Sequence, residues 1–508
     1  MTLQNKTIRL LQHIVGKENV LTEMEDCYVY SFEQIYRERP EAKIDCIVKT
    51  RSPKEIKDLL SLADKECFTV VQREKKISVM NNKSIVLLDD SEPCELGLLE
   101  EQEKCIIKNM MEFQGMEQGV LQKLALAQKM IFLNKPTTKH QDPDVCSSYC
   151  TVAPYFNNIE TWSAKGRLLI IRGILRGDLP ISKKIVDILY TCSNCGLCFA
   201  ECLSHSEFQE AVRSTRQKIG ISEYAPKIFK AAAQNILKSG DPSGTSARKH
   251  KLLSLNFNSN PSFKEKASTC YWVGCTVAAR TPKTVRSVTN ILNSAGVDFT
   301  FLGNEGCCGY VLLSSGLWED AKNNAIKLVE EVSKSRTEFI ITSCAGCYYT
   351  FSKLYPEILG LEMPCAVFHT SQFIESLIKD GRLELETNVN GKVTYHDPCS
   401  LGRHTQVYQA PRNVLLKIPD LDFSEMTLSQ DRARCCGGGG GVWSYNNRVS
   451  LNSAVNRLVK DVIPLDVDFL TTACPTCQIN LRYAALRNSY RINVCDFTEI
   501  VEAALSKA

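Results

Sequence analysis

The sequence has no apolar run approaching the roughly 20 residues needed to cross a bilayer as a helix. Its opening, Met1-Thr2-Leu3-Gln4-Asn5-Lys6, lacks the apolar core of a secretory signal. A cytoplasmic protein without a transmembrane segment is therefore expected, soluble or peripheral on the inner face of a membrane. There is no large charge surplus either. Sixty-one Lys and Arg against 57 Asp and Glu leave +4 with histidine neutral. Metal-bound thiolates would make the protein more acidic still, so charge gives no support to nucleic-acid binding. What is plentiful is cysteine, 24 in 508 residues, against an ordinary apolar fraction of 44%. Without an export signal, that many cysteines point to metal or redox chemistry and not to disulfide staples. The length suits two to four domains.

One cysteine arrangement is written twice in the C-terminal half. The first copy has Cys275, then Cys307-Cys308, then Cys344-Ala-Gly-Cys347. The second has Cys399, then Cys435-Cys436, then Cys474-Pro-Thr-Cys477. Matching positions lie 124 (Cys275 to Cys399), 128 (Cys307 to Cys435) and 130 (Cys344 to Cys474) residues apart, the mark of an internal duplication. A Cys-x-x-Cys turn brings two sulfurs to one site. Adjacent cysteines diverge, which suits an extended cluster better than a compact cube needing four thiolates. Gly309 and the run Gly437 to Gly441 follow the pairs and allow close backbone approach. Ten buried cysteines or a zinc site are the plainer alternatives, and duplicated order and spacing disfavour both.

These modules resemble the cysteine-rich CCG domains. Trp272-Val273-Gly274-Cys275, His396-Asp397-Pro398-Cys399 and Cys435-Cys436-Gly437-Gly438-Gly439 carry the resemblance. That family includes the B-type and D-type subunits of heterodisulfide reductase, the iron-sulfur subunits of glycolate, glycerol-3-phosphate and lactate dehydrogenases, and thiol:fumarate reductase. The resemblance implies one noncubane [4Fe-4S] cluster at each complete five-cysteine motif. Here that means Cys275, Cys307, Cys308, Cys344 and Cys347 for the first, and Cys399, Cys435, Cys436, Cys474 and Cys477 for the second.

The implied organisation is an α/β C-terminal half of two CCG modules (268–385 and 386–508), preceded by an all-α ferredoxin-like domain and a small α/β N-terminal domain. Residues 1–95 are similar to the start of a flavin-binding domain of the glycolate/lactate oxidase type, through Gly16 to Leu21, Tyr28 to Ser31 and Tyr36 to Pro40. Where that family has a glycine-rich phosphate loop, this chain has Gln72-Arg73-Glu74-Lys75-Lys76, so no flavin is expected on it. An unrelated small α/β domain is the other reading. Residues 96–135 read as amphipathic linking helices. Residues 136–240 resemble a ferredoxin-like helical domain through Cys192-Ser-Asn-Cys195-Gly-Leu-Cys198, and in such folds the fourth ligand comes from the other motif. The resemblance thus implies a cubane [4Fe-4S] cluster on Cys150, Cys192, Cys195 and Cys198. A second cubane has lost at least one ligand, since His140 and Pro143 occupy the matching positions and proline cannot ligate, so no second cubane, or a labile one, is expected. Cys146 and Cys202 remain as a degenerate site, with His140 or His205 as replacements. Residues 241–267 read as a linker.

Each module should alternate strand and helix, with cysteines at strand ends converging on a cleft. Cys365 and Cys495 each follow a module by 18 residues and fit a packing position. His396 and His404 are candidate proton donors, with a structural hydrogen-bonding role as the other reading. The expected function is that of an iron-sulfur oxidoreductase subunit of a larger complex. It would pass electrons between an FAD-containing dehydrogenase or electron-transfer flavoprotein and a disulfide or other acceptor, with further redox subunits as candidate partners. The alternative is a non-catalytic electron-transfer subunit of a flavin-linked 2-hydroxyacid dehydrogenase.

Overall fold

The computed structural model describes residues 5–31, 44–49, 54–55, 58–59, 61–62, 69–73, 76–80, 149–201, 208–244 and 262–505. The 96–135 helices, His140, Pro143, Cys146, Cys202 and His205 lie outside the described residues. The chain divides into two compact units, residues 1–135 with 156–188 and residues 136–155 with 189–508. No helix among the described residues is long and apolar enough to cross a membrane.

The first unit holds a four-stranded antiparallel sheet of β1 (Val20–Leu21), β2 (Ile44–Lys49), β3 (Thr69–Arg73) and β4 (Lys76–Met80), in the order β1-β2-β4-β3. Leu11, Val15, Val20, Cys46, Val48 and Leu59 form its core. Gln72 and Arg73 pair with Ile77 and Lys76, so this stretch closes a hairpin. Helix Ala164–Arg176 starts where Ser163 accepts the Gly166 N–H at 3.1 Å, a side-chain cap. Asp26 accepts from the Thr161 hydroxyl and Glu25 from the Ser182 hydroxyl, which ties helix Met24–Ser31 to this segment.

The second unit carries two parallel sheets. One has β5 (Thr269–Trp272), β6 (Phe299–Thr300), β7 (Phe339–Thr342) and β8 (Ala366–His369), in the order β6-β5-β7-β8. The other has β9 (Lys392–His396), β10 (Asp422–Phe423), β11 (Phe469–Thr472) and β12 (Asn493–Asp496), in the order β10-β9-β11-β12. The duplication thus extends to strand order. Thr269–Trp272 is buried along its whole length, as expected for a strand covered on both faces. Helix Pro282–Ser294 opens on its proline. Helix Trp318–Ser335 buries Ala321, Ala325, Leu328 and Val332, a stripe at helical spacing.

The modules share one core. Helix Pro282–Ser294 of the first packs on helix Phe497–Ala503 of the second, and helix Thr370–Lys379 of the first packs on helix Gln409–Leu415 of the second. Each module's first crossover helix meets the other's last helix. This is the exchange of equivalent contacts that a two-fold arrangement requires. Lys283 pairs with Glu499 at 2.7 Å, and Ser287 donates to Glu502 at 2.6 Å across this contact. Gly240, with φ of 71°, ends helix Lys227–Ser239, and Asp241 accepts the Ser243 N–H at 2.7 Å in the following turn.

Candidate metal centre

In parallel sheets, loops leaving the C-terminal strand ends face a common crevice. Cys275 follows β5, Cys344 follows β7, Cys399 follows β9 and Cys474 follows β11. Cys344 and Cys474 directly precede helices Ala345–Tyr349 and Pro475–Arg487, and Cys275 begins Cys275–Arg280. The unpaired N–H groups of a helix start favour the thiolate form, the direction seen at Cys474, whereas Cys344, although Cys347 lowers it, is pushed up overall by Cys474 and burial. Gly274 has φ of 78°, and a Cβ there would stand 3.3 Å from the Cys347 sulfur, so glycine is required twice over. Gly309 and Gly437, with φ of 82° and 81°, are repeat equivalents. They donate their N–H groups to Cys307 Sγ at 3.4 Å and Cys435 Sγ at 3.3 Å, and Gly438 donates to Cys436 Sγ at 3.5 Å.

A cavity of about 740 Å³ opens onto these turns. Nine of the ten module cysteines line it, all but Cys435. Its remaining wall is largely apolar, including Phe229, Val311, Trp443 and Ile479, with Arg280 and Asp241 as the charged lining residues.

The thiols form a connected series. Cys275 Sγ lies 3.8 Å from Cys307 Sγ. Hydrogen bonds then link Cys307 to Cys308, Cys308 to Cys347 and Cys347 to Cys344. Cys344 meets Cys474, which joins the first module to the second. From Cys474 the series passes to Cys477, and Cys477 lies 3.2 Å from Cys436. Cys436 meets Cys435, and Cys435 contacts both Cys399 and Cys195. Hydrogen bonds with Cys307, Cys435 and Cys344 respectively hold the Cys308, Cys436 and Cys474 thiols well below the usual range. Cys270 and Cys495, away from the cavity, are pushed up chiefly by burial. Cys365 is half-buried beside the start of β8. No disulfide links any of the 19 described cysteines.

Cys192, Cys195 and Cys198 occupy the turn and first residues of helix Leu197–Glu201. Asn194, at φ of 53°, donates its N–H to Cys192 Sγ at 3.4 Å. Cys150 lies in the same unit, and its neighbour Thr151 accepts from Ser453 of the second module at 3.0 Å.

The two histidines differ. A ring nitrogen of His396 and the sulfurs of Cys436 and Cys477 lie within 4.8 Å of one another, all buried. His404 places Nε2 3.0 Å from the Asn194 carbonyl and stacks on Tyr349 at 4.6 Å. Burial, aided by Arg213 and Arg403, lowers its pKa to about 3, so it is neutral and Nε2 donates. Neither ring lines the cavity.

Two arginines, the buried Arg216 and the half-buried Arg403, carry no signal in the sequence. Arg403 Nε donates to the Cys195 carbonyl at 2.8 Å, and Nη1 donates to Ala433 O at 2.6 Å and Asp431 O at 3.1 Å. Burial alone would lower its pKa, but the thiols of Cys195, Cys399 and Cys435 outweigh burial and the net direction is up. Arg216 is fully buried and donates to the carbonyls of Leu189, Cys192, Ser314 and Gly440. It thereby joins the Cys192 turn to both modules. Their spacing is that of ordinary surface charges, and only the tertiary contacts reveal them.

The donor set fits iron-sulfur chemistry. Five soft thiols per module converge on one crevice, backbone N–H groups already point at sulfur, and the glycines leave room beside them. A tetrahedral zinc would use four ligands and leave a fifth thiol without a role. Fold and site define a class, that of duplicated α/β modules with a cysteine-lined cleft.

Comparison with known proteins gives the family. Residues 269–352 and 393–482 each match the CCG cysteine-rich domain. The chain is 33% identical over 344 residues to the D-type subunit of dihydromethanophenazine:CoB–CoM heterodisulfide reductase from Methanosarcina mazei, covering 65% of this chain and 81% of that one. It is 31% identical over 239 residues to the B-type subunit of fumarate reductase (CoM/CoB) from Methanothermobacter marburgensis, covering 46% of each. It is 30% identical over 329 residues to a probable membrane-anchored ferredoxin of Chromohalobacter salexigens, covering 63% of this chain and 48% of that one. The chain belongs to the CCG-domain iron-sulfur oxidoreductase family that includes this heterodisulfide reductase subunit.

Proposed function

We propose that the protein is the electron-transferring, disulfide-reducing subunit of a multi-subunit oxidoreductase, linking a flavoprotein partner to a disulfide or related acceptor. The observation that carries this reading is the cavity lined by nine module thiols and backed by a thiol series reaching Cys195. Cys275, Cys307, Cys308, Cys344 and Cys347 would hold one noncubane [4Fe-4S] cluster. Cys399, Cys435, Cys436, Cys474 and Cys477 would hold a second, and Cys150, Cys192, Cys195 and Cys198 a cubane. When bound, such clusters supply electrons singly, and two are needed to cleave one disulfide into two thiols. The chain's own part is to exclude water with the apolar wall, to hold the ten thiolates in place, and to offset their charge with Arg403 and the helix starts. The relatives' names support a redox complex, and the partner would be an FAD-containing dehydrogenase or electron-transfer flavoprotein. Peripheral attachment to a membrane would fit the membrane-anchored relative.

Iron and sulfide analysis of anaerobically purified protein, with EPR after reduction and oxidation, tests the reading. About 12 iron per chain is expected from three four-iron clusters. Reduction of a small disulfide by the loaded protein should follow. About 4 to 8 iron, or full iron without disulfide reduction in the presence of a reductant, would overturn the catalytic assignment.

A further inference from the structure

The duplication sets two different side chains at one repeat position, and both carry a buried ring nitrogen without a well-aligned partner. Trp272 ends β5 three residues before Cys275, and His396 ends β9 three residues before Cys399. Both pair with the equivalent threonine of the neighbouring strand, Thr342 and Thr472. Trp272 is 0% and His396 1% exposed. Among the described residues, Trp272 Nε1 has no hydrogen-bond partner, and His396 Nε2 has no well-aligned one although its ring lies within hydrogen-bonding reach of the Cys436 thiol. A buried donor left unpaired is unfavourable, so two at the same repeat position call for a shared explanation.

Each donor stands beside its own module's sulfurs. The point where a Gly274 Cβ would lie is 3.7 Å from Trp272 Nε1 and 3.3 Å from Cys347 Sγ, so indole and sulfur border the same small space. His396 has a ring nitrogen within 4.8 Å of the Cys436 and Cys477 sulfurs. The histidine could in principle be a ligand. However, Arg457 Nε donates to its Nδ1 at 3.4 Å, and a neutral imidazole that accepts at Nδ1 carries its hydrogen on Nε2. Indole N–H can only donate. The two modules therefore present the same function, a donor, in two chemistries.

We propose that Trp272 and His396 are matched positioning residues, each donating its ring N–H to a ligand sulfur of its own module's cluster. The acceptor is Cys347 for Trp272 and the Cys436–Cys477 pair for His396. Such hydrogen bonds draw charge from the sulfur and stabilise the reduced state, so each raises the midpoint potential of one cluster. This rests on the reading that each set of five thiols holds a cluster.

The test uses loaded full-length protein, labelled with 15N-indole tryptophan or 15N-imidazole histidine. Pulsed EPR of the clusters should show a weak 15N coupling from each label. Trp272→Phe should abolish the first and lower the midpoint potential of one couple only. His396→Phe should abolish the second and lower the other couple, and His396→Gln, which keeps an N–H, should move that potential back toward the parent value. Full iron and sulfide without 15N coupling in the parent protein, or unchanged potentials in loaded variants, would overturn this inference alone. Iron too low for two module clusters would overturn it together with the reading beneath it. Should a variant fail to load, the labelled parent protein decides.

Discussion

Arg403 shows how much chemistry one residue can bring to the site. It stands four positions after Cys399 in an ordinary polar stretch. Folding sets it, half-buried, near the thiols of Cys195, Cys399 and Cys435. Its repeat equivalent in the first module is Ala279, so this position carries a charge in the second module alone. The thiolate ligands of the proposed clusters would carry negative charge, and a guanidinium at the junction between the Cys195 turn and the second module would offset it. Arg403→Gln should lower the potential of the couple nearest this junction. For unit charges about 8 Å apart at an effective dielectric near 20, the loss is on the order of 2 kcal/mol, or roughly 90 mV for one electron. Arg403→Lys should recover part of it. Redox titration followed by EPR checks both, and equal potentials in all three proteins would refute the electrostatic role.

The element scale adds a consequence of the duplication. His369 and Asp496 end β8 and β12 and cap the helices that follow, each within a capping box. His369 accepts the Ser371 N–H at Nδ1, 3.1 Å away, and Nε2 donates to the Ala473 carbonyl of the other module at 3.1 Å. Burial holds its pKa at about 4. The unfolded chain takes up a proton near pH 6.5 and the folded one does not. His369 therefore costs stability as pH falls from 6.5 toward 4, at about 1.4 kcal/mol per unit. Asp496 is opposite in sign. Burial raises it to about 8 despite hydrogen bonds from Thr498, so its contribution falls as pH rises from about 4 to 8. Denaturant unfolding against pH should separate them. Asp496→Asn should lose stability mainly on acidification below 6.5, and His369→Gln mainly on raising pH. Parallel curves for the two variants would contradict this.

At the scale of the second unit, Arg216 joins three segments distant in sequence through one guanidinium. It bonds carbonyls at 189, 192, 314 and 440. Hydrogen bonds from charged donors contribute roughly 1.5–3 kcal/mol each, and buried carbonyls left unpaired cost more. Arg216→Met should destabilise this unit by at least about 3 kcal/mol, read from its unfolding midpoint. It should also loosen the Cys192 turn from the modules, read as faster iron loss to a chelator. A variant as stable as the parent would show that water replaces the guanidinium at these carbonyls.

Local and repeating features were open to the sequence. Two cysteine patterns at nearly constant separation determined that two equivalent modules exist, because a duplicated order of ligands survives without knowledge of the fold. Proline at the start of helix Pro282–Ser294, the buried stripe of Trp318–Ser335 and the apolar strand Phe339–Thr342 follow from propensity and periodicity over short stretches. The run Phe299–Leu302 forms a strand only as far as Thr300, because pairing with the short β5 ends there. Tertiary structure alone decided what depends on distant residues meeting. The reciprocal helix contacts include residues more than 200 apart, as Ser287 and Glu502 are. The meeting of Cys344 with Cys474 connects the modules. Burial of Arg216 and the turning of Arg403 toward inner carbonyls and thiols reverse the ordinary solvent-facing role of arginine, and no local pattern encodes that reversal. The physical reason is range. Backbone propensity and side-chain periodicity act within a few residues, whereas the site's electrostatics come from charges and thiols that only the packed chain brings together.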